Sequence, residues 1–275
     1  AFFKALLFLG SGSVIHAMND EQDMKKMGGM KLYMPVTFVT MFVGSLAIAG
    51  VPPFAGFFSK DEILYRTFLS NKLLWGLAVV TAGMTAFYMF RLIFMTFFGD
   101  YRGPSWDREA DEAPADADHA HNADDHAHAW HGPRESPGLM TAPLLLLAIG
   151  AVVAGFVGIP AALGGANAIE HFLEPSFTAG AHVEEPEHAV AHLSRVAEIG
   201  LMVFSVLIAG FGIALAYHRY VRQPHRAEQL AASWAGTHRL LTNKYYVDEL
   251  YDATAVKGIM ASARGLWAVD RHVVD

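Results

Sequence analysis

Two lysines stand where lysines are costly. Lys4 lies in AFFKALLFLG, flanked by Phe2, Phe3, Leu6, Leu7 and Phe8. At the centre of a bilayer a lysine costs about 2.5–3.5 kcal/mol on insertion scales, so such residues usually face a bundle interior and mark an ion or proton path. A lysine can also hold or release its proton, which an arginine cannot. The competing reading is a lysine near a helix end whose ammonium snorkels to the interface. Position alone leaves both open.

Lys60 sits in AGVPPFAGFFSKDEIL. The apolar pattern predicts a helix from about Pro35 to Val51. Pro52 and Pro53 cannot continue it, and Gly50 and Gly56 loosen both flanks. Ser59-Lys60-Asp61-Glu62 then reads as a fresh helix start, with Ser59 as cap and the two acids in the first turn at the positive end of the dipole. The segment is thus an apolar helix, a break, and a short helix to about Ser70. Interrupted membrane helices expose backbone groups and are tolerated only inside protein or beside a water-filled cavity, and in transporters they mark ion sites. The plainer reading is a helix that ends at Phe58 and an exposed charged loop.

Other ionisable residues carry weaker signals. His16 follows Lys4 by 12 residues, a rotation of roughly 120° and about 18 Å along a helix axis, so the two cannot touch. It reads as an interfacial histidine, with a proton-relay role left open by its titration near neutrality. Arg91, in FYMFRLIF, is within reach of one interface by snorkelling. His119, His121, His126, His128 and His131 crowd one loop, and imidazoles suit zinc, copper or nickel. Their spacing is irregular and the chain has no cysteine, so no structural metal site is expected. No Walker A loop, dinucleotide-binding glycine pattern or Ser-His-Asp elbow appears, so no cofactor-binding site and no covalent catalysis are expected in this chain.

The elements that must position the lysines are long and apolar. Of 275 residues, 53% are hydrophobic and 17% charged. Residues 32–59, 73–90, 136–169 and 199–217 contain no Asp, Glu, Lys or Arg, and residues 1–18 contain only Lys4 among these types. A bilayer core takes roughly 20 mainly apolar residues per helix, so the expected fold is all-α, a polytopic transmembrane bundle. No Lys/Arg-rich region precedes the first apolar run, which therefore reads as the interior of a helix in a fragment of something longer rather than as a signal peptide. A net charge of −7 without a basic run argues against nucleic acid.

The expected organisation is transmembrane helices over 1–98, with the broken helix at about 35–70. An acidic, His-rich loop follows at 99–138, then two transmembrane helices over 139–218 around a His-containing loop at 164–196, then a tail over 219–275. Residues 18–35, 99–138 and 218–275 carry fourteen Lys/Arg against three on the opposite side, which predicts that they are cytoplasmic. Residues 107–131 and 182–192 are rich in Ala, Asp or Glu, and His, cannot build a core, and should be solvated. In the tail, Tyr246, Leu250, Ala253, Val256, Met260, Ala263 and Trp267 recur every three or four residues with charged residues between them, the pattern of an amphipathic helix lying along a membrane surface or neighbouring helices.

Three blocks in order, AFFKALLFLGSGSVIHAMNDEQDMKKMGGM, LAIAGVPPFAGFFSKDEIL and NKYYVDELYDATAVKG, resemble the C-terminal half of the NuoL-type, antiporter-like subunit of respiratory complex I, the proton-pumping NADH:quinone oxidoreductase. The resemblance covers nearly the whole chain apart from the two His-rich loops. It implies the second half of an inverted-repeat module with one broken helix, followed by the start of a lateral amphipathic helix. It places Lys4 on the central-axis lysine of a lateral proton path, Lys60 on the terminal proton-exchanging lysine of the broken helix, and Asp61 beside it as a modulating partner. It also implies that NAD, FMN, iron–sulfur clusters and quinone belong to other subunits. The partners would be the lipid bilayer and the neighbouring antiporter-like subunits, reached through the lateral helix, in a bacterial inner membrane.

Two departures qualify the match. The family's histidine four residues before Lys4 would precede the first residue here, and the first inverted repeat, with its Glu–Lys pair, is not in this sequence. A second possibility is the homologous large subunit of a multi-subunit sodium/proton antiporter. A third, a metal-ion transporter fed by the His-rich loop, would need carboxylates or histidines within the helices, and the charge-free stretches have almost none. On composition the acidic loop is dispensable. Replacing Asp107–His131 by a short Gly/Ser linker in the parent complex should leave assembly and proton pumping near wild type, checked by native gel and a pH-indicator assay; a metal-dependent loss would reveal a site there.

Overall fold

The computed structural model describes residues 1–104, 132–160, 163–165, 168–169, 172–173 and 195–271. The histidine-rich stretches 107–131 and 182–192 lie outside the described residues. Among the described residues the structure is helical, without strands, and divides into two units, residues 1–222 and 223–275.

The first unit contains α1 (Phe2–Ala17), α2 (Pro35–Ala49), α3 (Ala55–Ser70), α4 (Lys72–Phe97), α5 (Gly138–Val153), extended by a 3-10 turn over Ala154–Gly158, and α6 (Arg195–Tyr217), extended by a π turn over His218–Arg222. Three of these, spanning 72–97, 138–158 and 195–222, are long and apolar enough to cross a membrane, and α1 and α2 are shorter apolar helices. The chain is a multi-pass membrane protein.

Apolar side chains fill its interior and also cover its outer surface. Leu73, Leu77, Val80 and Met84 of α4 and Val203, Leu207 and Phe211 of α6 point outward, as suits a surface solvated by lipid. Ser13, Thr37, Thr40, Ser45, Asp61 and Thr96 are buried. Aromatic contacts fix the helix order. Phe38 and Phe42 of α2 meet Phe97 and Phe90 of the antiparallel α4, at centroid separations of 5.2 and 5.9 Å. Helices α4 and α6 run parallel, with Trp75 stacked on Phe204 near their starts and Phe94 edge-on to Tyr217 near their ends. Arg91 lies over the Tyr220 ring, 5.4 Å from its centroid, a cation–π contact.

The connection from α1 to α2 is built, not slack. Two 3-10 turns, Met24–Lys26 and Met30–Leu32, carry it, with Met27, Met30 and Met34 buried. Gly29 N–H donates to Phe98 O, and Arg102 Nε to Lys25 O. Helix α2 then starts with Pro35 at its first turn and Met34 at the cap position, which has no side-chain acceptor to offer. The acceptor comes from far along the chain. Glu135 Oε2 receives Val36 N–H at 2.7 Å, and Glu135 Oε1 receives the Thr37 hydroxyl at 2.6 Å. Ser13 Oγ of α1 joins the cluster, 3.1 Å from Thr37 Oγ1 and 2.6 Å from Ser136 Oγ. A carboxylate at a helix N-terminus satisfies orphan N–H groups and faces the positive end of the dipole. Glu135 thereby clasps the start of α2 and the segment leading into α5, with α1 held through Ser13.

The second unit has α7 (His225–Ser233) and α8 (Ala235–Thr242), a kink in which Lys244, Tyr245 and Tyr246 all have positive φ, then α9 (Val247–Tyr251), a π turn over Asp252–Val256 and α10 (Lys257–Val269). One unbroken stripe from Tyr246 to Trp267 was the expectation, and the π turn corrects it. An i→i+5 turn admits about one extra residue per turn, which offsets the helix phase by about 100°. Leu250 therefore leaves the line of Met260, Ala263 and Trp267. All four large apolar residues Leu250, Ile259, Met260 and Trp267 are exposed.

Glu135→Ala should leave Val36 N–H unmatched and Thr37 without its acceptor, destabilising the first unit by about 1–3 kcal/mol. The expected outcome is a lower thermal midpoint in detergent, with Lys26→Ala, which removes the exposed pair with Glu21, nearly unchanged as the control.

Candidate functional site

The break in the α2–α3 segment is a complete accounting of one helix end. The last four carbonyls of a helix have no intrahelical partner. In α2 these belong to Leu46, Ala47, Ile48 and Ala49. Gly50 adopts the left-handed conformation, φ 83° and ψ 33°, which a glycine tolerates without strain. Its N–H donates to Ala47 O and the N–H of Val51 to Leu46 O, both at 3.1 Å. The remaining two carbonyls, of Ile48 and Ala49, receive the Lys60 ammonium, each at 3.3 Å from Nζ. A cation at a helix C-terminus also meets the negative end of the dipole. Lys60 is half-buried there.

Pro52 and Pro53, joined by a cis peptide bond, carry the chain across the gap. Helix α3 begins at Ala55, with Phe54 extended at the cap position and no side-chain cap. The expected cap at Ser59, with acids in the first turn, is therefore corrected: no acidic residue is in the first turn, and Ser59 Oγ donates back to Ala55 O at 3.3 Å. The helix starts five residues early, and Gly56 lets it approach α2. A Cβ at that position would collide with the Ala47 carbonyl. The early start moves Lys60 into the second turn, from where its side chain reaches the end of α2.

Asp61, one residue on, is 5% exposed. Ser205 of α6 donates a hydrogen bond to Asp61 Oδ1, while Oδ2 has no partner among the described residues. Ser205 Oγ also lies 2.9 Å from Met202 O. A hydroxyl has one hydrogen, so it serves one of these acceptors at a time. Asp61 lines a small cavity of about 10 Å³ together with Glu62, Tyr65 and Trp75 and with Glu198 and Ser205 of α6. Glu62 is committed to Arg66, with Oε1 2.5 Å from Nε.

Of the residues expected to form the site, Lys60, Asp61, Pro52, Pro53 and Gly56 come together at this break. Lys4 and His16 do not join them. The buried face of α1 is Leu6, Leu7, Gly10, Ser13, Val14 and Ala17, packed on α2 and α5. Lys4 lies on the opposite face with Ala5, Phe8, Gly12 and His16, all exposed. The expectation that Lys4 faces the interior of the bundle is thus not met within this chain. Sequence reading missed Ser205 and Glu198, which sit in or beside an otherwise ordinary apolar helix. Among the described residues no group of acidic or histidine side chains could hold a metal ion.

The break thus brings together a buried carboxylate with one unpartnered oxygen and a half-buried lysine bound to backbone oxygens, groups that can each hold or release a proton. Comparison with known proteins gives the family. Residues 1–85 match the family described as NADH:quinone oxidoreductase/Mrp antiporter, TM. Chain 5 of the NAD(P)H-quinone oxidoreductase from Picosynechococcus sp. is 42% identical over 100% of this chain and 40% of its own length. Subunit L of the NADH-quinone oxidoreductase is 35% identical in Neisseria meningitidis, over 100% of this chain and 40% of that relative. In Rhodobacter capsulatus subunit L is 37% identical, with 100% and 44% covered. This chain thus spans well under half the length of these relatives. Matched along its whole length at such identities, it belongs to the family of NADH-quinone oxidoreductase subunit L, called chain 5 in the cyanobacterial relatives.

Proposed function

We propose that this chain is part of a proton-translocating membrane subunit of an NADH:quinone oxidoreductase, and that Lys60 is the residue at which the proton is exchanged. The observation that carries the reading is the Lys60 ammonium on the Ile48 and Ala49 carbonyls at the break between two apolar helices. The amine is held by hydrogen bonds that need no counter-charge, so it can lose its proton without leaving a stranded anion. Asp61 stands next to it as the modulating group. Lys4, on the uncovered face of α1, takes the connecting step toward the rest of the parent protein, with His16 as a relay on the same face. The redox chemistry, with its NAD, FMN, iron–sulfur clusters and quinone, belongs to other subunits. The membrane is the bacterial inner membrane, with residues 18–35, 99–138 and 218–275 on the cytoplasmic side. The sodium/proton antiporter reading is the weaker one, because the relatives reported above are named as quinone oxidoreductase subunits.

Lys60→Ala in the assembled complex should cut proton pumping and the coupled quinone reduction by about tenfold or more. Lys60→Arg keeps a cation for the two carbonyls but not a releasable proton, so it should preserve assembly and still impair pumping. Full pumping by Lys60→Ala in proteoliposomes would refute the assignment.

The second unit is proposed as the start of the lateral helix that braces neighbouring antiporter-like subunits. With its apolar residues divided by the π turn, Leu250→Asp and Met260→Asp test two separate contact lines. Each should loosen the subunit from the complex on native gels while the remaining complex keeps measurable quinone reductase activity. An intact complex with selective loss of pumping would instead indicate a direct part in coupling.

A further inference from the structure

The cavity beside Asp61 holds more chemistry than the lysine requires. Its volume of about 10 Å³ is close to the minimum that admits one water molecule. Asp61 brings to it a buried oxygen, Oδ2, with no hydrogen-bond partner. Across α6, Glu198 lies in the first turn and lines the same cavity, and it makes no hydrogen bond or ion pair among the described residues. The other titratable groups around Asp61 are accounted for. On α3, Lys60 is bound to the α2 carbonyls, Glu62 is paired with Arg66, and Tyr65 offers a hydroxyl. Helix α4 contributes only Trp75 and Val79.

We propose that Glu198 is a further proton-transfer residue, taking the proton from Asp61 through one water in this cavity and releasing it at the end of the bundle where α4 and α6 begin. The proposal rests on the reading of Lys60 as the proton-exchanging lysine. The transfer balances as follows. The Asp61 O–H bond breaks as the water gains a third O–H bond. One of the water's original O–H bonds breaks as Glu198 is protonated. Asp61 is left ionised, the water is restored, and neutral Glu198 gives its proton to solvent. Ser205 holds the other oxygen. Its single hydrogen serves Oδ1 while Asp61 is ionised, and it stays there when the proton sits on Oδ2, the oxygen without a partner. The proton is thereby left on an oxygen that no protein group occupies, where the water can take it.

The test is proton pumping by the assembled complex in proteoliposomes, driven by quinone reduction. Glu198→Gln should lower pumping at least about tenfold with assembly intact, and Glu198→Asp should recover part of it. Glu198→Ala should be rescued by azide or formate, small weak acids that carry protons but cannot mend a packing defect. Lys60→Ala is run in parallel. Full pumping by Glu198→Gln beside a dead Lys60→Ala overturns the relay and leaves the lysine assignment standing. An assembled Glu198→Ala complex that neither acid revives also overturns the relay. Full pumping by Lys60→Ala overturns the reading beneath it.

Discussion

A helix that stops inside a membrane leaves carbonyls that water cannot reach, and everything at the centre of this structure follows from how those of α2 are covered. Each unmatched polar group in hydrocarbon costs several kcal/mol. Two of the four are covered by backbone N–H groups that fold over the helix end. The other two fall to Lys60. That choice makes the lysine a structural member of the bundle, and its charge is tolerated because it caps the helix. Gly50 and Gly56 serve the same end, one by its left-handed turn and the other by letting α3 start close against Ala47.

The same rule, that a polar group unmatched in lipid is costly, bears on the other end of α2. At the far end of α2 the orphan N–H groups are met by Glu135, so the rod whose last carbonyls hold Lys60 is fixed at its first turn by a residue about a hundred positions away. With both ends clasped, the 15 residues of α2 have little freedom to slide, and the carbonyls at its end are presented at a set height to the amine.

The lysines and the break were legible because a charge in a run of Phe and Leu, or two prolines in an apolar helix, departs from a strong pattern. The α-helical membrane class was legible for the same reason. What escaped was supplied from a distance. Glu135 lay in what read as an acidic loop, and only the lack of an acceptor at Met34 hinted that one must come from elsewhere. Ser205 is a small hydroxyl in an apolar helix, indistinguishable by pattern from its neighbours. Ser59 misled because a serine before two acids resembles a cap, whereas the helix start was decided by the close approach of Gly56 to α2. The π turn at Asp252–Val256 has no compositional mark, and a regular stripe concealed it.

The Asp61–Ser205 contact joins positions 144 residues apart in the chain, and that separation has a bearing on biogenesis. Helices enter the bilayer in the order of synthesis, and contacts between distant segments form late. During insertion α3 therefore waits for α4 and α5 to be laid down before α6 can supply its hydroxyl. Through that interval the half-built bundle holds a carboxylate with neither Ser205 nor Glu198 beside it. The arrival of α6 is the event that brings Ser205 and Glu198 to Asp61, so this polar site cannot precede the completion of the first unit's fold.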